Sequence, residues 1–160
     1  MNEFTIELDA TDLRLLDLLQ EDASPTNQEL AARAHISPAT CLRRVKRLTQ
    51  AGLIERRVAL LAPDKLGAGL SAIVEVTLDR QGAEHLDTFE QHVHDTREVQ
   101  QCWRVSPGPD FVLVLHTSDM ATYAQLAQRL FTQHANVRNV KSYFAVKRAK
   151  FAPHLVLPKV

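Results

Sequence analysis

The sequence contains few of the residue types that mark specialised classes of protein. Its two cysteines, Cys41 and Cys102, lie too far apart for a metal-binding pair and are too few for a disulfide framework. Five glycines and seven prolines in 160 residues exclude a collagenous chain and argue against a disordered one. No apolar run approaches the roughly 18 residues of a membrane span, and no secretory signal is recognisable at the N-terminus. We therefore expect a cytoplasmic globular protein with no membrane partner.

Net charge is also lacking, but only as an average. The 19 basic and 19 acidic side chains give a formal net charge of zero, which excludes a strongly basic coat protein or an acidic buffer protein. The charge is nevertheless segregated along the chain, because residues 1–32 carry −7 and residues 33–57 carry +6. Residues 58–140 then carry −4, and the last twenty residues carry +5. The two basic segments need an explanation.

A helix-turn-helix pattern accounts for the first basic segment. Leucines at helical spacing predict a first helix over residues 9–20. Thr26 and Glu29 form a capping-box pair that begins a short second helix. Ser37 then occupies an N-cap position, and Pro38 follows at the first position of a third helix. Two helices joined by a tight turn, the second of them rich in arginine, are typical of a DNA-binding helix-turn-helix.

The third helix combines an apolar stripe with a basic surface. Leu42, Val45 and Leu48 recur every three residues, which predicts that they face the core of the domain. Cys41 is expected to be a small buried residue rather than a redox sensor. The basic side chains either contact DNA or form a solvated charged face, and the serine cap and two-helix spacing favour DNA. These side chains are Arg43, Arg44, Lys46 and Arg47.

Strand and helix patterns alternate in the rest of the chain. We place a hinge strand or linker at residues 54–67, between a first domain of residues 1–53 and a second of residues 68–160. The fold class is therefore α+β, with an N-terminal winged helix-turn-helix domain and a C-terminal ferredoxin-like βαββαβ domain. In the second domain, alternation predicts strands over 69–78, 98–105, 110–117 and 137–147, and helices over 82–94 and 119–134.

Short motifs in a fixed order run through nearly the whole chain. Together they resemble the Lrp/AsnC family, the leucine-responsive and asparagine-synthase regulators. The resemblance implies a transcriptional regulator with a DNA-binding domain, a hinge, and a second domain that binds an amino-acid effector and assembles homodimers and often octamers. The motifs are Leu8-Asp9-x-x-Asp12, Glu29-Leu30-Ala31, Ile36-Ser37-Pro38, residues 41–48, residues 51–54, Ala59-Leu60-Leu61-x-Pro63, Asp110-Phe111 and Asp119-Met120-x-x-Tyr123.

The candidate contacts to double-stranded DNA lie at the beginning and on the basic face of the third helix. Small side chains at a helix N-terminus permit close approach to bases or phosphates, and arginine makes bidentate contacts to guanine or phosphate. Arg44 is the first candidate among the arginines, and Asn27 is a candidate phosphate contact at the start of the preceding helix. The predicted set is Asn27, Ser37, Pro38, Ala39, Thr40, Arg43, Arg44 and Arg47.

The resemblance places the effector near the turn at residues 106–111. Backbone N–H groups beside a glycine bind a carboxylate and a carboxylate holds an ammonium group, which suits an α-amino acid. The family usually has glycine directly after the serine, whereas Pro107 and Pro109 flank the glycine here, and each proline removes an N–H donor. The effector therefore differs, or the site is altered, or this is a plain tight turn. The predicted effector contacts are Ser106, Gly108, Asp110 and Ser142.

Two other functions compete with a regulator. An architectural DNA-binding protein needs no effector and is compatible with the altered turn. An enzyme resembling the sirohaem decarboxylases shares the architecture, but those enzymes carry a His-Asn-Tyr stretch where this chain has Gln101-Cys102-Trp103-Arg104. We predict no catalytic residues, no metal site and no cofactor besides the amino-acid effector. A DNA-binding regulator is expected to be cytoplasmic and associated with the nucleoid.

Overall fold

The computed structural model describes residues 7–67 and 69–158. The chain forms two compact units. One unit comprises the residues up to Leu60 together with those from Lys150 onward, and the other comprises Leu61–Ala149. The outermost positions of the predicted domains, residues 1–6, 159 and 160, and the predicted boundary residue 68, lie outside the described residues.

The first unit contains three helices, whose positions confirm the predicted helix-turn-helix. They are α1 (Ala10–Glu21), α2 (Asn27–Ala34) and α3 (Pro38–Gln50). Side chains cap each N-terminus: Thr26 and Glu29 form the predicted capping box, and the Ser37 hydroxyl accepts a hydrogen bond from the Thr40 N–H. Asp9 and Asp12 form a second capping box at α1.

The core of this unit corrects the predicted orientation of α3. Cys41 and Leu48 are completely buried, in line with the expectation of a small buried residue at position 41. Leu42 is 61% exposed, so the prediction that it faces the core is wrong. The residues that share the core with α3 are Leu15, Leu30, Ala31 and Ala34.

Residues 54–67, predicted to be a hinge strand or linker, contain no strand in this structure, which leaves the linker. Residues 55–62 have no regular secondary structure, and Pro63–Lys65 make a single 3₁₀ turn. Because a strand needs a neighbour for its N–H and C=O groups, an isolated extended segment is not a strand. Residues 51–60 likewise form no strand hairpin, so the wing expected after α3 is not formed by this segment.

The C-terminal segment also departs from the predicted domains. Residues from Lys150 onward were assigned to the second domain, but they group with the first unit. The Gln20 side chain makes two hydrogen bonds to the backbone of Leu155. Its Nε2 donates to the Leu155 carbonyl and its Oε1 accepts from the Leu155 N–H, both at 2.9 Å. These two bonds hold the segment against α1.

The second unit has the predicted βαββαβ order. Its four strands form one antiparallel sheet in the order β2-β3-β1-β4, with β1 and β3 at the centre. The predicted last helix, 119–134, is an α-helix only to Ala127 and continues as a π-helical turn over Gln128–Thr132. The elements are β1 (Leu70–Leu78), α4 (Ala83–His94), β2 (Val99–Arg104), β3 (Phe111–Thr117), α5 (Met120–Ala127) and β4 (Val137–Phe144).

The two faces of this sheet differ in composition and exposure. Alternate residues of β1 and β3, including Val74 and Leu113, are buried with Phe89 of α4 and Leu126 of α5. The other face contains apolar side chains that remain exposed, namely Ile73, Trp103 and Tyr143. Strand register places Tyr143 opposite Ile73, and Trp103 opposite Val112 of β3. Among the described helices, none is both long and apolar enough to cross a membrane.

The two leucines of α3 provide a test of this packing. Leu48→Ala leaves a cavity in the core and should lower the free energy of unfolding by about 2–5 kcal/mol. Leu42→Ala removes an exposed side chain and should change it by less than about 0.5 kcal/mol. Urea unfolding followed by circular dichroism measures both, and equal losses would show that the described orientation of α3 is incorrect.

Candidate DNA interface and effector loop

The start of α3 is fixed by hydrogen bonds from the turn and from α2. The Asn27 Nδ2 donates to the Pro38 carbonyl at 2.9 Å, which ties the first residue of α2 to the first residue of α3. The Ser37 hydroxyl donates to the Thr40 Oγ1 at 2.9 Å. Pro38 and Ala39 are exposed, and Thr40 is half-buried. The structure therefore brings together the predicted contacts of this segment, and it uses the amide of Asn27 to position α3.

Arg44 and Arg47 point toward α1. The Arg44 Nη1 donates to Asp9 at 2.7 Å and to Asp12 at 2.9 Å, and the Arg47 Nη2 donates to Asp12 as well. The Asp12 side chain is only 1% exposed, whereas that of Arg44 is 21% exposed. One buried carboxylate thus holds two arginines of α3 against the beginning of α1.

Hydrogen bonds within this cluster favour the charged forms of Asp9 and Arg44. The pKa of Asp9 lies below its usual value, chiefly because its carboxylate accepts the Asp12 backbone N–H and then because it accepts from Arg44. The pKa of Arg44 is raised, first by its bond to Asp12 and then by that to Asp9. The buried Nε atoms of Arg44 and Arg47 find no acceptor in the part of the chain that the structure describes.

The direction of these arginines changes the interpretation of the basic helix. Arg44, the first candidate for a DNA contact, is bound to two carboxylates, and Arg47 is bound to one of them. Arg43 and Lys46 lie on the outer face and are exposed. A DNA role for Arg44 and Arg47 stays a prediction, but their contacts favour positioning of α3 over base recognition.

The predicted effector loop, residues 106–111, is hydrogen-bonded to the end of β1. The Asp110 N–H donates to the Val76 carbonyl at 2.9 Å. Its carboxylate accepts from the Leu78 N–H at 2.7 Å and from the Gln81 side chain at 3.2 Å, both on Oδ2. Ser106 and Gly108 are exposed, and Gly108 has a φ of 125°, a conformation that favours glycine. Asp110 is therefore partly used by the fold, which leaves Oδ1 for a ligand.

Ser142 lies apart from the other predicted effector contacts in this chain. It pairs with Val74 of β1, and its hydroxyl is hydrogen-bonded to the Tyr123 hydroxyl of α5. The loop follows β2, and β3 and β1 lie between β2 and β4. Ser142 thus lies across β1 from the loop, and its hydroxyl is bonded to Tyr123 and not to Ser106, Gly108 or Asp110.

Sequence reasoning missed three residues with evident roles at these sites. Asp9 and Asp12 are predicted only as members of a family motif, although acids at the first helix and bases in the third are able to form an ion pair. Tyr123, the partner of Ser142, was noted only as part of a motif. Its position in the final helix gave no local signal of that contact.

Comparisons with known proteins agree with this architecture. A family model described as the Lrp/AsnC ligand binding domain matches residues 71–155. A second model, described as winged helix-turn-helix DNA-binding, matches residues 8–55.

Full-length relatives give the same result. An HTH-type transcriptional regulator of Haemophilus influenzae is 36% identical over 94% of this chain and 89% of its own length. The leucine-responsive regulatory protein of Escherichia coli K12 is 34% identical over 94% of this chain and 92% of its own. A crystal structure of a transcriptional regulator from Neisseria meningitidis in complex with L-methionine has a TM-score of 0.86 and 32% identity, covering 94% of this chain and 97% of its own.

Asp12→Asn tests the cluster beneath α3. Asparagine retains an oxygen that can accept the Asp9 N–H but removes the charge that both arginines share. We expect it to lower the free energy of unfolding by about 2 kcal/mol, as for a lost hydrogen bond to a charged group. Faster hydrogen exchange should appear in peptides from α1 and α3.

Glu7→Gln is the matched control, because Glu7 is exposed near the same helix end and the substitution removes one carboxylate charge there as well. We expect it to change the free energy of unfolding by less than about 0.5 kcal/mol. If Asp12→Asn were as mild as Glu7→Gln, the two arginines would not depend on Asp12.

Proposed function

This chain belongs to the Lrp/AsnC family of transcriptional regulators, and from that premise we propose which of its residues contact DNA, effector and a second subunit. It is a DNA-binding regulator modulated by a ligand, and not an enzyme. The observation that carries the assignment is the pairing, in one chain, of a capped helix-turn-helix with a ligand-binding domain of βαββαβ order.

The DNA-contacting set falls into two groups with different roles. The outward group lies at the exposed start of α3 and supplies Arg43 as its cation, with small residues that permit a close approach to duplex DNA. The inward group, Arg44 and Arg47, holds α3 against α1 through Asp12. Asn27 acts with this second group, since it binds the Pro38 carbonyl, and its Oδ1 remains for a water-mediated phosphate contact. The outward group is Ser37, Pro38, Ala39, Thr40 and Arg43.

The effector is a free α-amino acid bound at the loop of residues 106–110. Pro107 and Pro109 have no N–H, and the Asp110 N–H is taken by Val76, so the backbone donors left for a carboxylate are those of Ser106 and Gly108. The Asp110 Oδ1 then faces the ammonium group. The methionine complex of the Neisseria meningitidis regulator supports this class of ligand. Ser142 takes part only from a neighbouring subunit or through Tyr123.

A homodimer is the basic assembly, with further association to an octamer. Support comes from the uncovered face of the sheet, where Ile73, Trp103 and Tyr143 are each about half exposed. An apolar face of this kind is buried against another sheet in most proteins. Because the partner is DNA, we also propose that the protein is cytoplasmic and associated with the nucleoid.

An architectural protein without an effector is the second candidate. The observation that favours it is the pair of prolines beside Gly108, which reduces the donors available for a carboxylate. Such a protein would bind DNA with the same affinity in the presence and absence of amino acids.

A panel of the twenty amino acids separates these two candidates. At least one should raise the melting temperature of the full-length protein, because a ligand that binds only the folded state stabilises it. The same amino acid should change DNA affinity in a gel-shift titration at fixed salt, and DNA should change the affinity for the amino acid by the same factor. Stabilisation by none of them would favour the architectural protein. Stabilisation with unchanged DNA affinity would contradict ligand-modulated binding.

Ile73→Asp tests the dimer. A charge at the centre of the uncovered face should convert the dimer to a monomer, because burying an unpaired carboxylate is unfavourable. Light scattering after size-exclusion chromatography measures the mass. Met120→Asp is the control, since Met120 is equally exposed but lies at the start of α5, where an acid is tolerated. A dimer that persists in Ile73→Asp would show that another surface joins the subunits.

A further inference from the structure

The outer face of α3 has an apolar side chain at its centre. Ala39, Leu42, Arg43 and Lys46 follow one another at spacings of three, one and three residues, which aligns them along one side of a helix. All four are exposed, and Leu42 keeps 61% of its surface in contact with solvent. On this stripe Ala39 lies one turn before the leucine, Arg43 lies beside it and Lys46 lies one turn after it.

This face is available because the other two cations of α3 point elsewhere. Arg44 and Arg47 are held by Asp12 on the side toward α1, and Cys41 and Leu48 fill the core. Besides Ala39, the exposed side chains on this face are therefore one leucine and two cations. The major groove of duplex DNA accepts an α-helix and offers phosphates at its edges and thymine methyl groups on its floor.

We propose that Leu42 is a specificity-determining residue that packs against a thymine C5-methyl group in the major groove, on the face it shares with Arg43 and Lys46. This assignment rests on the proposed insertion of α3 into DNA. A single exposed leucine needs no partner in itself, but this one shares an exposed helix face with two cations, on the helix that carries the proposed DNA contacts. The cations attract the phosphates, and the leucine distinguishes thymine from cytosine.

Removing the methyl group from DNA tests the contact directly. A preferred site is first selected from a random-sequence duplex pool with the wild-type full-length protein. Each thymine of that site is then replaced singly by uracil, which differs only by the C5-methyl. We expect uracil at one position of each half-site to weaken binding about fourfold, the factor for burying one methyl-sized group.

Variants of α3 identify the side chain that senses the methyl group. In Leu42→Ala, thymine and uracil at that position should bind equally, and selection with this variant should lose the requirement for thymine there. Leu42→Met keeps an apolar side chain and should keep the preference. Lys46→Ala is the matched control, which should weaken binding to all sequences and lower the salt slope by about one, while keeping the preference.

Each contrary result has its own meaning. An undiminished uracil effect in Leu42→Ala, or no position at which uracil matters, would overturn the assignment of Leu42 while leaving DNA binding intact. Unchanged DNA binding with an altered oligomeric mass in Leu42→Ala would show that a protein surface covers this leucine. If the wild type enriched no sequence from the pool, sequence-specific DNA binding would fail, and this assignment with it.

Discussion

The buried carboxylate of Asp12 is the constraint on which the DNA-binding unit depends. It is almost inaccessible to solvent, yet it carries a charge that must be balanced where it lies. Two guanidinium groups from α3 supply that balance, and the Asp9 N–H is a further donor to it. Asp12 joins α1 to α3 through its ion pairs with Arg44 and Arg47. The rotation of α3 about its own axis is therefore set by these ion pairs as well as by the apolar core.

That rotation determines which charges the protein offers to DNA. The segment of residues 33–57 carries a net charge of +6, but three of its seven bases, Arg33, Arg44 and Arg47, pair with carboxylates of residues 1–32, the segment that carries −7. The attraction to phosphate is correspondingly smaller than the count of arginines suggests. A helix with a reduced basic field must obtain more of its affinity from close contacts with base edges. We expect a chain of zero net charge to bind DNA with a modest non-specific background.

Local signals in the sequence were sufficient for the helices of the first unit and the strands of the second, but not for the direction of side chains. Caps at Thr26 and Ser37 are read from neighbouring residues, and both are present. The three-residue spacing of Leu42, Val45 and Leu48 was misleading, because a helix turns every 3.6 residues and the set Cys41, Val45 and Leu48 follows that period more closely.

Contacts between distant parts of the chain were beyond local patterns. The bonds of Arg44 to α1 span more than thirty residues, and those of Gln20 to Leu155 span 135. The hinge strand could not be judged either, since pairing depends on a neighbour that the pattern does not contain. At the effector loop, the prolines were visible in the sequence, whereas the use of Asp110 by β1 was not.

The topology of the second unit limits how an effector at this loop can act. Both covalent connections to the first unit leave from one end of the sheet, since the hinge enters β1 at Leu70 and the C-terminal segment follows β4 at Phe144, which is paired with Ala72. The loop is bound to Val76 and Leu78, at the other end of β1. An amino acid bound at this loop, as we propose, would therefore act along β1 or through contacts within the proposed dimer. β1 is hydrogen-bonded to a neighbour on each side, so a distortion passed along it would have to shift both ladders together. Under the proposal, regulation through the assembly of subunits is accordingly the more economical route.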